Sequence, residues 1–279
     1  MGSVQPGVGF SPLTARRPAK DVCSPARRDG ELRPMNFDLT DTNFLLKFLM
    51  FYPAFLFALT VHEVAHALTA NWGGDLTATY QNRLTLNPVA HMDIFGTVLV
   101  PIILLLQPMF FIFGWARPVP VDEGSFRDKA WNVVVSLAGP FSNLLLAVFG
   151  ALFFTLVLRL MAVVAEAEWW SLNQTFLYAY SDFVKGFVML NFLLLIFNLI
   201  PVPPLDGSHV LFHFFIRGHA GRYGFWDFFQ RFGFMLLFIL IFFSPAGMAL
   251  GIGMSVLSFI TMRLTGFDAS YDQAFSTVF

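Results

Sequence analysis

Long stretches of sequence without charge constrain this chain more than any other feature. A lipid bilayer has a hydrocarbon core about 30 Å thick, and roughly 20 apolar residues of helix are needed to cross it. Hydrophobic residues make up 56% of the chain and charged residues 13%, far from the composition of a soluble domain. The sequence therefore predicts an all-α integral membrane helical bundle. Five blocks have spanning length, the first interrupted by one glutamate: 48–70, 94–116, 132–158, 186–205 and 232–262.

The last block carries its own break. Residues 244–247 read SPAG, near the middle of a run that has no charged residue. Proline and glycine interrupt helices, so we predict a helical hairpin of two short spans here. The bundle is then expected to have about five to six membrane helices in one domain, 44–265, followed by a short tail, 266–279.

Residues 1–43 differ from the rest of the chain. They are rich in Gly, Ser and Pro, carry six basic residues and lack an apolar stretch. We expect a disordered basic tail, with an organelle transit peptide or a native start at Met35 as alternatives. The net charge of −1 gives no indication of nucleic-acid binding, and the single cysteine, Cys23, excludes an intrachain disulfide.

A short polar motif interrupts the first block. HEVAH places two histidines and a glutamate where a membrane helix normally carries leucine. Residues i and i+4 lie about 40° apart around a helix, so His62 and His66 point the same way and can bind one metal ion. In zinc peptidases two neutral imidazoles bind the metal, and a glutamate, here Glu63, takes a proton from the attacking water.

The HEVAH motif also occurs by chance in soluble helices, where a structural role would be the better interpretation. In a membrane the balance changes, because an ionisable side chain at the bilayer centre costs about 2.5–3.5 kcal/mol and is functional by default. Small residues fall on the histidine face, among them Ala54, Ala58 and Ala65, which allows other helices to approach closely. A catalytic metal site is therefore the preferred hypothesis.

A catalytic zinc site needs a third protein ligand. Asp206 is the first candidate, because it lies in PPLDG, where the prolines end a helix and the glycine permits a sharp turn. An aspartate at this place can instead cap the following helix. His91 and Asp93 are rivals, either as ligands or as partners that orient an imidazole. His209 and His213 also form an i, i+4 pair, but we expect structural roles for them.

Helix directions indicate whether the two polar clusters can share one site. HEVAH and NLIPVPPLDG, at 198–207, both lie near the C-terminal ends of their blocks. Their helices must run parallel to place both clusters at one depth, which requires an odd number of crossings between them. Two blocks intervene, and Gln107–Pro108 splits 94–116 into short halves. We therefore predict that 94–116 is a re-entrant or β-like segment near the active site, which is allowed where a cavity satisfies its backbone. The alternative is that 94–113 spans the membrane and that the two polar clusters are unrelated.

Three motifs in this order resemble the site-2 protease family of intramembrane zinc metalloproteases: HEVAH, LAGPFSN at 137–143, and NLIPVPPLDG. The resemblance extends from about residue 44 to 215. LNPVAHMDIFG followed by GWARPVPV resembles the short bacterial branch without a PDZ or CBS domain. The resemblance implies one zinc ion per chain, a lipid bilayer as environment and a transmembrane helix as substrate. The implied activity is hydrolysis of peptide bonds within such segments, in regulated intramembrane proteolysis.

The same resemblance implies individual residue roles. Asn198, and more weakly Asn143, would hold the substrate or the oxyanion. The segment 115–121, with Pro118 and Val119, would receive an extended substrate as an added strand. The implied zinc ligands and general base are His62, His66, Asp206 and Glu63.

The family's site opens toward the cytosol, so we expect a multi-pass protein of a bacterial cell membrane with this orientation. The alternatives are a catalytically silent relative that binds membrane segments, and a carrier that uses histidines as metal or haem ligands. The basic tail does not fit the positive-inside rule, whereas the loops on the catalytic side do. Their basic residues are Arg83, Arg117, Arg127, Lys129, Arg217, Arg222 and Arg231.

Overall fold

The computed structural model of the chain describes residues 1–2, 42–105, 114–164, 173–216 and 223–268. The chain divides into two units, 1–36 and 37–279, and the fold below is that of the second. The predicted tails, 1–43 and 266–279, lie almost wholly outside the described residues and stay predictions. The helices are α1 (Thr42–Gly73), α2 (Thr77–Tyr80), α3 (Val100–Leu105), α4 (Trp131–Val164), α5 (Gln174–Asn198), α6 (Asp206–Leu211), α7 (Tyr223–Phe243) and α8 (Pro245–Thr265).

Four of these helices are long and apolar enough to cross a membrane: residues 48–73 of α1, α4, α5 and residues 247–265 of α8. A fifth span is obtained if the two bent halves of α7 are counted together. No β-strand occurs among the described residues. The prediction of an all-α, multi-pass membrane bundle is confirmed, with the number of spans at the lower end of the expected range.

The predicted break in the last block is present. α7 ends at Phe243 and α8 begins at Pro245, with Ser244 between them. Proline suits the first turn of a helix, because the backbone N–H that it lacks would have no partner there. α7 starts before the uncharged run, at Tyr223, because Asp227, Gln230 and Arg231 are compatible with helix.

The core of the bundle is formed where α4 packs against α1 and α5. Ala147 and Ala151 on α4 are fully buried, as is Ala58 on α1, so the helix backbones approach closely. Larger side chains from α5, such as Val184 and Phe192, fill the space between them. α8 packs on the outer side of α4 and α5. The polar motifs on α1 and α4 therefore face each other within the membrane-spanning part of the protein.

The described parts of the block 94–116 are short, and the two ends of the block lie close together. Its apolar helix runs from Ile94 to Ile103, about 15 Å, which is half of the bilayer core. The backbone N–H of Arg117 donates to the carbonyl of His91 at 2.8 Å, so the two ends lie side by side. This agrees with the predicted re-entrant segment. Residues 106–113, at its tip, lie outside the described residues, and 114–122 form no strand.

Cysteine labelling tests this topology. In a Cys23→Ser background, cysteines at the exposed positions Val89 and Glu123 should react with an impermeant maleimide from the same side of sealed vesicles. A cysteine at Val164, the exposed last residue of α4, should react from the other side, because α4 crosses the membrane. Labelling of positions 89 and 123 from opposite sides would show that 94–116 spans.

Candidate metal centre

Two histidines one helical turn apart meet an aspartate in the interior of the bundle. His62 and His66 of α1 are buried, with 4% and 8% of their surface exposed, and their Nε2 atoms lie 3.1 Å apart. Asp206, the first residue of α6, places Oδ2 3.1 Å from Nε2 of His62 and 3.4 Å from Nε2 of His66. The structure thus brings together the three residues that the sequence nominated as metal ligands.

The hydrogen bonds of the two rings determine which nitrogen carries the proton. Nδ1 of His66 lies 2.7 Å from the carbonyl oxygen of Val135, on α4. A carbonyl can only accept, so Nδ1 carries a proton and donates, and in the neutral ring Nε2 then keeps its lone pair. An imidazole binds a metal through a nitrogen that carries no proton, and the neutral ring of His66 offers Nε2 for this purpose.

The tautomer of His62 is determined by a chain of buried amides. Its Nδ1 lies 2.6 Å from Oδ1 of Asn143, while Nδ2 of Asn143 donates to Oδ1 of Asn191 at 3.1 Å. Asn191 is oriented in turn, because its own Nδ2 donates to the carbonyl of Phe187 at 2.9 Å. The oxygen of Asn143 must therefore face His62, so Nδ1–H donates and the lone pair of Nε2 points to Asp206.

The resulting donor set fits a metal ion. Two Nε2 lone pairs and a carboxylate oxygen face each other, and their ligand atoms all lie within 4.8 Å of one another. Oδ2 of Asp206 is buried and accepts no hydrogen bond from any described residue. Three acceptors this close repel one another, and one shared proton would satisfy only part of the set. Two imidazoles and a carboxylate are the ligands of several catalytic zinc sites, which keep a fourth position open.

Gly139 of α4 leaves the space that the two imidazoles occupy. A Cβ atom at this position would lie 2.3 Å from Nε2 of His66 and 2.6 Å from Nε2 of His62. No side chain other than hydrogen fits at that distance. Gly139 belongs to the LAGPFSN motif, but its role was not predicted from the sequence.

The loop before α6 carries Asp206 back across the end of α5. A Cβ atom on Gly207 would lie 2.3 Å from the carbonyl oxygen of Leu199, so glycine is required for this close approach. Ser208 donates from Oγ to the carbonyl of Leu205 at 2.6 Å and holds the first turn of α6. α5 ends at Asn198, as the prolines that follow it predict.

Glu63 lies beside the metal ligands without joining them. It is buried, with 9% of its surface exposed, and its Oε2 accepts from the backbone N–H of Val119 at 2.9 Å. Val119 is itself buried against Ala67 and Ala78. The predicted substrate segment is therefore next to Glu63, but the N–H of Val119 is already bonded to a carboxylate. The role of this segment in receiving a substrate strand stays a prediction.

Two rival ligands have structural roles instead. Nε2 of His91 lies 2.8 Å from the carbonyl of Thr85, within the loop that precedes the re-entrant segment. Asp93 caps that segment, because its Oδ1 accepts from the backbone N–H groups of Phe95 and Gly96 at 3.0 and 2.7 Å. Neither residue orients an imidazole of the metal centre. Asn143 and the carbonyl of Val135 orient the two imidazoles, and no sequence pattern indicated these roles.

The two predicted substrate-binding asparagines differ in their surroundings. Asn143 is fully buried and its amide is occupied by His62, Asn191 and the carbonyl of Ala58, so it fits a positioning role better than substrate contact. Asn198 donates to the carbonyl of Leu194 at 2.9 Å and is partly exposed, and its role stays a prediction.

Comparison with known proteins agrees with this chemistry. The model of peptidase family M50 matches residues 50–240. The chain is 38% identical over 197 residues to YwhC of Bacillus subtilis, named as a candidate zinc metalloprotease, which covers 68% of this chain and 78% of YwhC. It is 30% identical over 167 residues to Rip2 of Mycolicibacterium smegmatis, named in the same way, covering 59% of this chain and 56% of Rip2. No solved structure matches the chain.

Replacement of Gly139 by alanine should prevent metal binding, because the added methyl group occupies the space of both Nε2 atoms. Zinc content measured on purified protein should fall from about one ion per chain to near zero. Gly251→Ala is the matched control, since a Cβ atom there meets nothing within 4 Å. A Gly139→Ala protein that keeps a full complement of zinc would contradict this geometry.

Replacement of Asn143 by alanine should weaken zinc binding about 10- to 100-fold, the usual effect of losing a partner that orients a ligating histidine. Competition with a fluorescent chelator measures the affinity. Asn198→Ala should leave it unchanged, because Asn198 bonds only to its own helix among the described residues. Equal zinc affinities for the wild type and Asn143→Ala would show that the bond to His62 does not matter.

Proposed function

The chain belongs to peptidase family M50, the site-2 protease family, and on this basis we propose that it hydrolyses peptide bonds within transmembrane segments of other membrane proteins. The family and the spanning helices establish a membrane metalloprotease with zinc as its cofactor. The observation that carries the finer proposal is the position of the metal centre. His66 and His62 lie seven and eleven residues before the end of α1, which is about 10 and 16 Å of helix. The metal centre therefore lies within the membrane-spanning part of α1.

We assign the zinc ligands to His62, His66 and Asp206, whose donor atoms fit a single ion. When bound, zinc supplies Lewis-acid chemistry, which lowers the pKa of water to about 7 and polarises a peptide carbonyl. Asn143 and the carbonyl of Val135 hold the two imidazoles in the tautomer that binding needs. The remaining steps belong to the side chains around this centre.

Glu63 is the proposed general base. The N–H of Val119 donates to Oε2 of Glu63 at 2.9 Å and so fixes the orientation of the carboxylate. The other oxygen, Oε1, is left to receive a proton. Oε1 takes the proton from the attacking water and gives it to the amine that leaves, as one group can do in peptide hydrolysis. Burial of Glu63 restricts bulk water and keeps the orientation of the carboxylate fixed.

The substrate is proposed to be a membrane helix that unwinds before cleavage, because the carbonyl groups of a helix are already hydrogen-bonded. Exposed Pro118, beside buried Val119, lies at the place where such a strand would arrive next to Glu63. Asn198, at the end of α5, is the side chain we assign to substrate or oxyanion binding.

We place the active site on the cytosolic side of a cell membrane. The loop that joins the substrate segment to α4 carries three exposed basic residues, Arg117, Arg127 and Lys129. Loops with such an excess of Lys and Arg remain in the cytosol. This supports an orientation in which α4 starts at the cytosolic face.

Substitution of Glu63 by glutamine should retain zinc and lower the cleavage rate at least about 100-fold, because the amide cannot accept the proton. The assay uses vesicles with a tagged single-pass test protein whose transmembrane segment contains an Asn-Pro pair. Glu123→Gln, the same change on an exposed loop, is the control and should cleave as the wild type does.

Asp206→Ala should lose both zinc and cleavage, which separates the loss of a ligand from the loss of the base. Cleavage by Glu63→Gln at the wild-type rate would show that Glu63 is not the base. If the wild type, loaded with zinc, cleaves none of a series of test segments of decreasing helix propensity, the chain is a silent membrane-binding relative and the proposal fails.

A further inference from the structure

A buried arginine lies next to the segment that contacts Glu63. Arg83 follows α2 and has 7% of its surface exposed. None of the ion pairs found in the described part of the chain involves it. Its Nη2 instead donates to the carbonyl of Arg117 at 2.6 Å and to that of Pro118 at 3.3 Å. A buried charge without a carboxylate partner is costly, so its retention needs an explanation.

The local backbone directs this side chain inward. Asn82 adopts a left-handed conformation with φ 55°, which asparagine tolerates better than most residues. The N–H of Arg83 then bonds to the carbonyl of Ala78 at 2.8 Å and closes the turn after α2. The backbone of Arg83 is thus fixed to α2, and its guanidinium is held by the carbonyls of Arg117 and Pro118.

One peptide group joins Arg83 to Glu63. The carbonyl of Pro118 and the N–H of Val119 belong to the same planar unit. The carbonyl accepts from Nη2 of Arg83 at 3.3 Å, and the N–H donates to Oε2 of Glu63 at 2.9 Å. The dipole of this unit therefore points its positive end at the carboxylate and its negative end at the cation.

This arrangement strengthens each of its bonds. A cation at the carbonyl end polarises the peptide group and makes its N–H a better donor, an effect that is larger where water is excluded. The two charges also interact: burial and then Arg117 lower the pKa of the Arg83 guanidinium, whereas Glu63 acts in the opposite direction. Nε of Arg83 is buried without a partner, so the two carbonyls are the contacts that hold the group.

We propose that Arg83 is a positioning residue for catalysis, which holds the Pro118–Val119 peptide group against Glu63 and so fixes the orientation of the base. The inference rests on the proposed function for its catalytic consequence, while the positioning itself can be measured without any substrate. The side-chain hydrogen bonds of Arg83 go to the carbonyls of Arg117 and Pro118, and none goes to a metal ligand. Its effect should appear in the segment that contains Val119 and in kcat.

Hydrogen–deuterium exchange of the zinc-loaded protein in detergent measures the positioning directly. Val119 lies between Pro118 and Pro120, which have no N–H, so its amide is easily resolved in overlapping fragments. In Arg83→Met, the amides of Arg117 and Val119 should exchange at least about tenfold faster than in the wild type, because both depend on the clamped segment. Arg127→Met is the matched control: it removes the same charge from an exposed side chain that lies outside the substrate segment 115–121.

The expected pattern has three parts. Zinc content is unchanged in both variants, since Arg83 is not a ligand. kcat for the single-pass test protein falls about 100-fold in Arg83→Met, a loss that a displacement of about 1 Å at a reacting group can produce. KM changes less than threefold, and Arg127→Met behaves as the wild type. Arg83→Lys should restore much of the protection and of kcat, because one nitrogen makes both bonds to the carbonyls.

The outcomes separate this inference from the proposed function. Unchanged exchange at Val119 in Arg83→Met would overturn the positioning role, whatever the activity. If the wild type fails to cleave, the proposed function fails, and the exchange data still decide whether Arg83 holds the segment. If Arg83→Met does not fold, Arg83→Gln is compared with Arg127→Gln in the same way, and wild-type exchange at Val119 in Arg83→Gln would equally overturn the proposal.

Discussion

The arrangement depends on three electron-pair donors that share one small, buried space. His62, His66 and Asp206 cannot keep their donor atoms so close unless a cation lies between them or the surrounding structure forces them together. The two rings are buried, and little bulk water reaches them, so Nδ1 of each ring needs a protein partner. Asn143 and the carbonyl of Val135 provide these partners from α4, and Gly139 provides the space.

Much of this centre could be predicted from the sequence. The spacing of His62 and His66 fixes their common face on a helix, and their cost in a membrane argues against a structural role. Asp206 could be nominated because prolines end the preceding helix and a glycine follows. The need for α1 and α5 to run parallel predicted that 94–116 returns to its own face, and the bond between Arg117 and His91 agrees with this.

The supporting contacts could not be predicted, for physical reasons. A backbone carbonyl such as that of Val135 has no signature in the sequence, and its position depends on the rotation of α4 against α1. The same holds for Asn143, which the family resemblance assigned to substrate and which the structure places on His62. The resemblance assigned Val119 to substrate binding, and no sequence pattern indicated that its N–H donates to Glu63, which requires the segment to come within reach of α1. Relative depth and rotation of helices are set by packing, which periodicity does not encode.

X-ray absorption at the zinc edge of the purified, zinc-loaded protein tests the central claim most directly. The account predicts two imidazoles and one carboxylate oxygen among ligands at about 2.0–2.2 Å. Asp206→Ala removes the carboxylate ligand and should therefore change the spectrum or abolish zinc binding. The contribution of two imidazoles to the spectrum comes from His62 and His66. A first shell with three or more imidazoles, or with a sulfur ligand at about 2.3 Å, would contradict the assigned centre.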